Sequence, residues 1–462
     1  MAMNLATLKK AVLKKVKPSA EEVAAERRMA HALMEEIRGL EGSHVEVMLC
    51  GSLARETHLK GDRDLDLFVL FPESVPRERF VEEGLRIGKT IFRGHPWEEA
   101  YSEHPYIRGE IRGFEVEVVP GYKVKSAEKI QSAVDRSPFH QRYLEKRLTG
   151  RLRDEVRLVR QFLKGIKCYG AELRYASVPG YVTELLVLKY GSFEATVKAM
   201  AAWRKGEVID LENHRPAEDA RKKFDAPFIV VDPVDRERNV AAALSLNQFT
   251  RMIAAARAFT QKPRLSFFFG KKEKTWPLAK VKAMLQKTEL AGVETGYPKA
   301  VSDVVWGQLR RFGKKLANEL GELDFKVLRH DEWTDEKKRM CCLYELEAAT
   351  LQKAMTRTGP PVTDQANSAA FLAKHQKPLS GPRIEEGRWV VEVERKHTQA
   401  KTALKELLQK TKASEREGLR QALAKKTRVL DEKALVEWYT KDKEFAEFLT
   451  EFLKGEEDFL DY

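Results

Sequence analysis

Cysteine is scarce. The 462 residues hold four, Cys50, Cys168, Cys341 and Cys342, without the paired C-x-x-C spacing of a zinc ribbon or the density of a disulfide scaffold. They read as packed thiols of a reduced compartment. Long apolar runs are missing as well: no stretch approaches the roughly 20 uninterrupted apolar residues of a membrane helix, and the lysine-studded start from Met1 to Lys17 lacks the apolar centre of a signal peptide. A soluble, cytoplasmic protein with no membrane partner is therefore expected. No internal repeat or low-complexity segment is present, and 43% hydrophobic with 9% aromatic residues excludes disordered and collagen-like classes.

Positive charge is what the chain has in excess. Lys and Arg number 83 against 70 Asp and Glu, a net charge of +13, and such a surplus attracts polyanions. It is concentrated late in the chain. Residues 395–428 hold 11 Lys or Arg (Arg395, Lys396, Lys401, Lys405, Lys410, Lys412, Arg416, Arg420, Lys425, Lys426, Arg428) against three Glu, whereas 431–462 hold 11 acids against four Lys. Either these are solvated helix faces that neutralise one another, or 395–428 is a surface that tracks phosphates.

Periodicity divides the chain. Ser19 to Glu22 has the form of a capping box opening a helix with Val23, Ala30, Leu33, Met34 and Ile37 as its apolar stripe and Gly39 as its stop. His44–Cys50 and Leu65–Phe71 alternate as strands, a helix is expected near Arg77–Phe92, and residues 114–119 (FEVEVV) form another strand. From about Arg151 the pattern is helical, over 151–168, 181–203 and the alanine-rich run from Asn239 to Thr260. Beyond Pro263 it is mixed: a strand-like Phe267-Phe268-Phe269, a helix near Val304–Leu320, strands near 325–329 and 340–347, a helix near 348–355, a turn at Gly359-Pro360-Pro361, and a strand at 388–394 leading into helix. Trp203, Trp306 and Trp389 read as packing residues.

The chemistry lies in 51–68, GSLARETHLKGDRDLDLF, together with 114–119. Asp64 and Asp66 are two apart on a strand, so both carboxylates leave one sheet face with Cα atoms roughly 6–7 Å apart. Unneutralised, they repel. Carboxylate oxygens suit Mg²⁺ bound together with substrate phosphates, and a third acid on the same face of a neighbouring strand, Glu117, would complete a two-metal site. In such a site one ion activates a hydroxyl and the other holds a triphosphate. Gly51-Ser52, 12 residues before Asp64, lets backbone approach phosphate, and Ser52 and Arg55 add donors. The bland alternative is a pair of edge aspartates beside a helix-capping serine.

These segments resemble the nucleotidyltransferase superfamily that includes DNA polymerase beta, and more closely the class I, archaeal-type CCA-adding enzymes. GSLARETHLKGDRDLDLFVLFPE (51–73), SEHPYIRG (102–109), EVVPGYKVK (117–125), SAVDRSPFH (132–140), CYGAE (168–172), VDPVDRERNVAAALS (231–245) and EEGRWVVEVERK (385–396) look like the family's signatures in the family's order. The resemblance implies an α+β multidomain fold with four parts. These are a polymerase-beta-like head with a mixed sheet over 1–150, a helical neck over 151–265, a mixed α/β body over 266–320 and 376–462, and a tail over 321–375. It implies template-independent addition of C, C and A to the 3′ end of tRNA from CTP and ATP, with two Mg²⁺ ions and release of pyrophosphate. The tRNA partner would be held at acceptor stem and elbow by body and tail; a homodimer is left open.

By position, Asp64, Asp66 and Glu117 fall on the metal carboxylates and Ser52 and Arg55 on triphosphate contacts. His140, Arg160 and Tyr169 fall on further nucleotide contacts, and Arg238 on the residue facing the incoming base. Two departures stand out: the third carboxylate, usually Asp, is Glu117, and Arg160 stands where Lys is expected. Arg238 also has a physical logic. A guanidinium donates to cytosine N3 or adenine N1 but meets an N–H in UTP. Read from the residues alone, Arg238 could instead pair with Asp232 or Asp235, His104 and His140 could be satisfied loop or cap histidines, and Tyr169 could be core. Relatives with another acceptor, a poly(A)-type polymerase or an oligoadenylate synthetase, would use ATP only; an inactive RNA-binding protein of the same fold is the remaining alternative.

Overall fold

The computed structural model describes residues 4–41, 45–101, 103–170, 174–270, 275–411, 415–425 and 427–460. His44, Ser102, Ala171, Glu172, Lys412 and Lys426 lie outside the described residues. The chain forms two compact units, Met1–Lys272 with Glu456–Tyr462, and Glu273–Gly455.

The first unit opens with α1 (Leu5–Val16) and α2 (Ala20–Glu41). The capping box is formed: the Ser19 N–H donates to Glu22 Oε2 at 2.7 Å and the Glu22 N–H to Ser19 Oγ at 3.1 Å. Gly39 does not stop α2, which runs to Glu41; one glycine in a helix costs only about 1 kcal/mol, less than the buried stripe of Ala30, Leu33 and Ile37 secures. Then follow β1 (Glu46–Cys50), α3 (Gly51–Ala54), β2 (Asp64–Pro72), α4 (Arg77–Ile91), β3 (Trp97–Tyr101), β4 (Pro105–Ile111) and β5 (Phe114–Lys123).

The five strands form one mixed sheet in the order β1-β2-β5-β4-β3, with β2 and β5 parallel and the other pairs antiparallel. Alternation decides the faces. Leu65, Leu67, Val69 and Phe71 of β2 and Val116 and Val118 of β5 join Ile37, Phe80 and Ile87 in a core under α2 and α4. Asp64, Asp66 and Phe68, with Glu115, Glu117 and Val119, take the opposite face.

The sheet leads into α5 (Ser137–Glu145), α6 (Gly150–Gly165), α7 (Gly180–Tyr190), α8 (Phe193–Ala202), β6 (Glu207–Ile209), α9 (Ala217–Phe224), β7 (Phe228–Asp232), β8 (Asp235–Asn239), α10 (Leu246–Gln261) and α11 (Ser266–Phe269). Two expectations change. The Asn239–Thr260 run is helical only from Leu246, because residues 235–239 pair with β7 as part of a three-stranded sheet β6-β7-β8. Phe267-Phe268-Phe269 is a helical turn, since a short apolar run does not distinguish strand from helix. Its rings pack on Phe162 of α6, whose centroid lies 6.1 Å from that of Phe267 and 5.9 Å from that of Phe268.

The second unit comprises α12 (Leu278–Leu285), β9 (Glu289–Gly296), α13 (Ser302–Glu322), β10 (Val327–Thr334), β11 (Arg339–Leu346), β12 (Ala354–Pro361), α14 (Gln365–Lys374), β13 (Ser380–Glu385), β14 (Arg388–Glu394), α15 (Ala400–Thr411), α16 (Glu417–Lys425), β15 (Thr427–Leu430), α17 (Glu432–Lys441) and α18 (Lys443–Lys454). A four-stranded sheet, β10-β11-β9-β15, is covered on both faces. Cys342 and Tyr344 meet α13 and α15, while Cys341 and Leu343 meet α17 and α18. All four cysteines are free and buried.

The helix expected at 348–355 is absent. Residues 354–361 pair with β14 instead, and Gly359-Pro360-Pro361 ends that strand rather than forming a turn. β12 is an edge strand, where a proline lacking its N–H is tolerated. No helix among the described residues is long and apolar enough to cross a membrane.

Phe162 is fully buried at the centre of the ring cluster of the first unit. Replacing it with alanine is expected to lower stability by about 3–5 kcal/mol in a denaturant titration; a loss below about 1 kcal/mol would show that the cluster does not hold this unit together.

Candidate active site

Parallel pairing of β2 with β5 sets Asp64 beside Glu115 and Asp66 beside Glu117. Four carboxylates thus share a small area of one sheet face. Burial, followed by repulsion from Asp64, pushes Asp66 up to about 6, with Arg55 opposing. Burial, followed by repulsion from Asp66, pushes Glu117 up to about 7. Asp64 is raised by burial and by Asp62 and Glu115. The Tyr106 hydroxyl donates to Glu117 Oε1 at 3.4 Å, a long bond that adds little.

Asp66 is also seated by the preceding turn. Cys50, the last residue of β1, pairs with Asp66, and Gly51 follows at φ +79°. A Cβ on Gly51 would lie 1.8 Å from Asp66 Oδ2, so glycine alone fits on both counts. Among the described residues no three Asp, Glu, His or Cys side chains stand close enough to hold an ion as they are. Closing Asp64, Asp66 and Glu117 further would crowd charges that protons or a cation must neutralise. Their all-oxygen chemistry and raised proton affinity fit a hard divalent cation.

The basic side of the site is built from α3, α5, α6 and α7. Arg55 is buried; its Nε donates to Glu184 Oε1 at 2.9 Å and its Nη1 to Gln141 Oε1 at 2.7 Å. Among the described residues its Nη2 and the Ser52 hydroxyl have no protein partner. Arg160 is 2% exposed, lies 3.8 Å through Nη2 from Glu184 Oε1, and has its guanidinium carbon 5.7 Å from the centre of the Tyr169 ring. Tyr169 lies partly buried against the neck core, next to Gly180.

The third group meets on one buried carboxylate. His140 Nε2 lies 2.8 Å from Asp232 Oδ2, and Arg238 Nη1 donates to the same oxygen at 3.0 Å. Asp232 is fully buried. Burial raises its carboxyl, but the bonds from His140, the Val234 N–H and Arg238 outweigh this and hold it below its ordinary value. Burial lowers His140, with the bond to Asp232 opposing. The ring stacks on Tyr181 at 4.1 Å. Arg238 thus makes the ion pair with Asp232 that its residues allowed, while 39% of its side chain stays exposed and able to reach a ligand. Asp235 pairs instead with Arg136 at 2.7 Å. His104 is a satisfied buried histidine, between the Pro120 carbonyl at 2.8 Å and Ser132 Oγ at 3.2 Å.

The three groups sense one another electrostatically: Arg55 acts on Asp66 and His140, Arg160 on Asp64 and Tyr169, and Arg238 on His140. Sequence reasoning missed Glu184, Tyr181 and Gln141, and saw Asp232 only as an alternative partner. An acid inside an apolar helical run, GYVTELLVL, was the available signal for Glu184.

The family model described as nucleotidyltransferase domain matches residues 32–140, that for the second domain of tRNA nucleotidyltransferase matches 154–269, and that for the C-terminal domain of CCA-adding enzyme matches 287–432. The CCA-adding enzyme of Methanothermobacter thermautotrophicus is 36% identical over 406 residues, covering 86% of this chain and 87% of that protein. That of Methanoregula boonei is 40% identical over 390 residues, covering 83% of each. That of Methanosarcina mazei is 37% identical over 412 residues, covering 87% and 89%.

Carboxyls raised above their unfolded values favour folding below those values, and that contribution is lost as pH rises through about 6 for Asp66 and about 7 for Glu117. Without a divalent cation, Asp66→Asn is therefore expected to melt a few degrees above the parent at pH 8 and to lose that advantage at pH 5. Calorimetric Mn²⁺ affinity of the parent should rise with pH across the same window, with proton release. Affinity independent of pH between 5 and 8 would contradict the shared-carboxylate geometry.

Proposed function

The chain belongs to the CCA-adding enzyme family, tRNA nucleotidyltransferases, and from that premise we propose how its own residues add C, C and A to the 3′ end of tRNA from CTP and ATP. The observation that supports the reading best is the parallel register placing Asp66 beside Glu117, with Gly51 seating Asp66 from the other side. Asp64, Asp66 and Glu117 would hold two Mg²⁺ ions, whose chemistry when bound is to lower the pKa of the attacking 3′-hydroxyl and neutralise charge on the departing pyrophosphate. Glu117, a methylene longer than Asp, reaches the site from the neighbouring strand.

Ser52, Arg55 and Arg160 bind the triphosphate, Ser52 Oγ and Arg55 Nη2 being donors without a protein partner among the described residues. Tyr169 lines the same side, its ring under the Arg160 guanidinium. His140 and Arg238, fixed by one carboxylate, hold the base end of the nucleotide. The exposed edge of Arg238 donates to cytosine N3 or adenine N1, and meets the N–H of uracil without an acceptor. Residues 1–150 act as head, 151–265 as neck, 266–320 and 376–462 as body, and 321–375 as tail, the last two gripping acceptor stem and elbow in the cytoplasm.

An A-form stem is held through phosphates and 2′-hydroxyls. Part of the basic stretch is already neutralised: Lys410 pairs with Glu406 at 2.7 Å, Lys401 with Asp431 at 3.3 Å and Arg395 with Asp324 at 3.0 Å. Lys405, Arg416, Arg420 and Lys425 are exposed and, among the described residues, make no ion pair; these are the cations offered to RNA.

With tRNAs lacking zero, one, two or three terminal nucleotides, labelled CTP should enter those lacking two or three and ATP those lacking one. Asp66→Ala should cut the rate about a thousandfold or more. Incorporation of ATP alone would favour a poly(A)-type relative, and inactivity of the unaltered protein an RNA-binding role. Charge reversal at Lys405, Arg416 and Arg420 should raise the KM for tRNA about tenfold at low salt and leave that for CTP unchanged; equal tRNA affinity in a filter-binding titration would remove these residues from the RNA surface.

A further inference from the structure

Glu184 is fully buried on α7, among basic side chains. Its Oε1 accepts from Arg55 Nε at 2.9 Å and Thr57 Oγ1 at 2.5 Å, and lies 3.8 Å from Arg160 Nη2. Among the described residues its Oε2 is buried without a hydrogen bond, as are Arg160 Nε and the Tyr181 hydroxyl. An isolated ion pair built for stability would use both oxygens on one partner. Here one oxygen gathers two guanidiniums and a hydroxyl from separate parts of the chain, and three polar atoms around it stay unsatisfied. Arg55 is gripped from its far side by Gln141, which leaves Nη2 as its donor toward a ligand. At the start of the same helix a glycine leaves room for the other arginine: a Cβ on Gly180 would lie 3.0 Å from the Tyr169 hydroxyl and 3.2 Å from Arg160 Nη2.

We infer that Glu184 is a positioning residue for the polyphosphate of the incoming nucleotide: it fixes the Arg55 and Arg160 guanidiniums as a pair before the nucleotide arrives. Two guanidiniums held close repel, and each long side chain loses rotamer freedom when a ligand orders it. A buried carboxylate between them removes the repulsion and moves the ordering cost from binding to folding. Two positive charges against one negative still leave a net positive edge for phosphate. The inference rests on the reading of Arg55 and Arg160 as phosphate contacts.

Glu184→Gln in the full chain keeps size and one acceptor and removes the charge. The KM for CTP and for ATP and the inhibition constant of pyrophosphate should rise together about tenfold, with the KM for tRNA unchanged. Unchanged pyrophosphate inhibition would overturn the inference, and tighter inhibition would too, since the carboxylate would then only weaken the local positive field. If the variant fails to melt cooperatively, Thr57→Val tests the same point with every charge retained. A rise of about threefold in the nucleotide KM and pyrophosphate constants supports the inference, and parental values overturn it. An unaltered protein that incorporates CTP while Glu184→Gln behaves like it sinks this inference alone; an unaltered protein that incorporates neither nucleotide sinks the reading beneath it as well.

Discussion

Repulsion between carboxylates that the backbone does not let separate is the constraint from which the site follows. Asp66 and Glu117 are register partners on parallel strands, and Asp64 lies one pleat away on the same face. The opposite face of both strands is committed to the head core, so a one-residue slip would bury the acids and expose the core. The sheet therefore cannot relieve the repulsion by shifting, and side chains can relieve it only by taking up protons or a cation. Gly51 leaves room for the Asp66 carboxylate where a Cβ would lie 1.8 Å from Oδ2.

The positive side obeys the same economy. Arg55, Arg160, His140 and Arg238 are not left to float; each is tied to a buried acid. Glu184 serves Arg55 and Arg160, Asp232 serves His140 and Arg238, and α7 carries both Glu184 and the Tyr181 ring that stacks on His140. On the proposed reading, a nucleotide entering such a site would meet donors already oriented, and its binding energy would not be spent on ordering long side chains.

Much of the head could be read from the residues, because its signals are local. The capping box, the alternation of β2 and β5 and the Gly-Ser turn each need only a few neighbouring residues, and each appears where expected. The pairing partner of β2 is a different matter: nothing local says that β5 rather than another strand lies beside it, and Glu117 entered only as the acid that would complete the set. The misses share one cause. Phe267-Phe268-Phe269 and residues 354–361 take their structure from partners far along the chain, the Phe162 ring and β14, and residues 235–239 from pairing with the neighbouring β7; intrinsic preference does not foresee such partners. Glu184 escaped for a related reason, since its meaning comes from Arg55, 129 residues away.

The claim that most depends on this geometry is that all three acids, Glu117 included, hold the catalytic cations. Crystals of the full chain grown with Mn²⁺ and CTP, measured at the manganese absorption edge, test it directly. The account expects anomalous peaks bonded to carboxylate oxygens of Asp64, Asp66 and Glu117 beside the triphosphate. Manganese on the nucleotide alone, or with Glu117 outside its coordination shell, would contradict it.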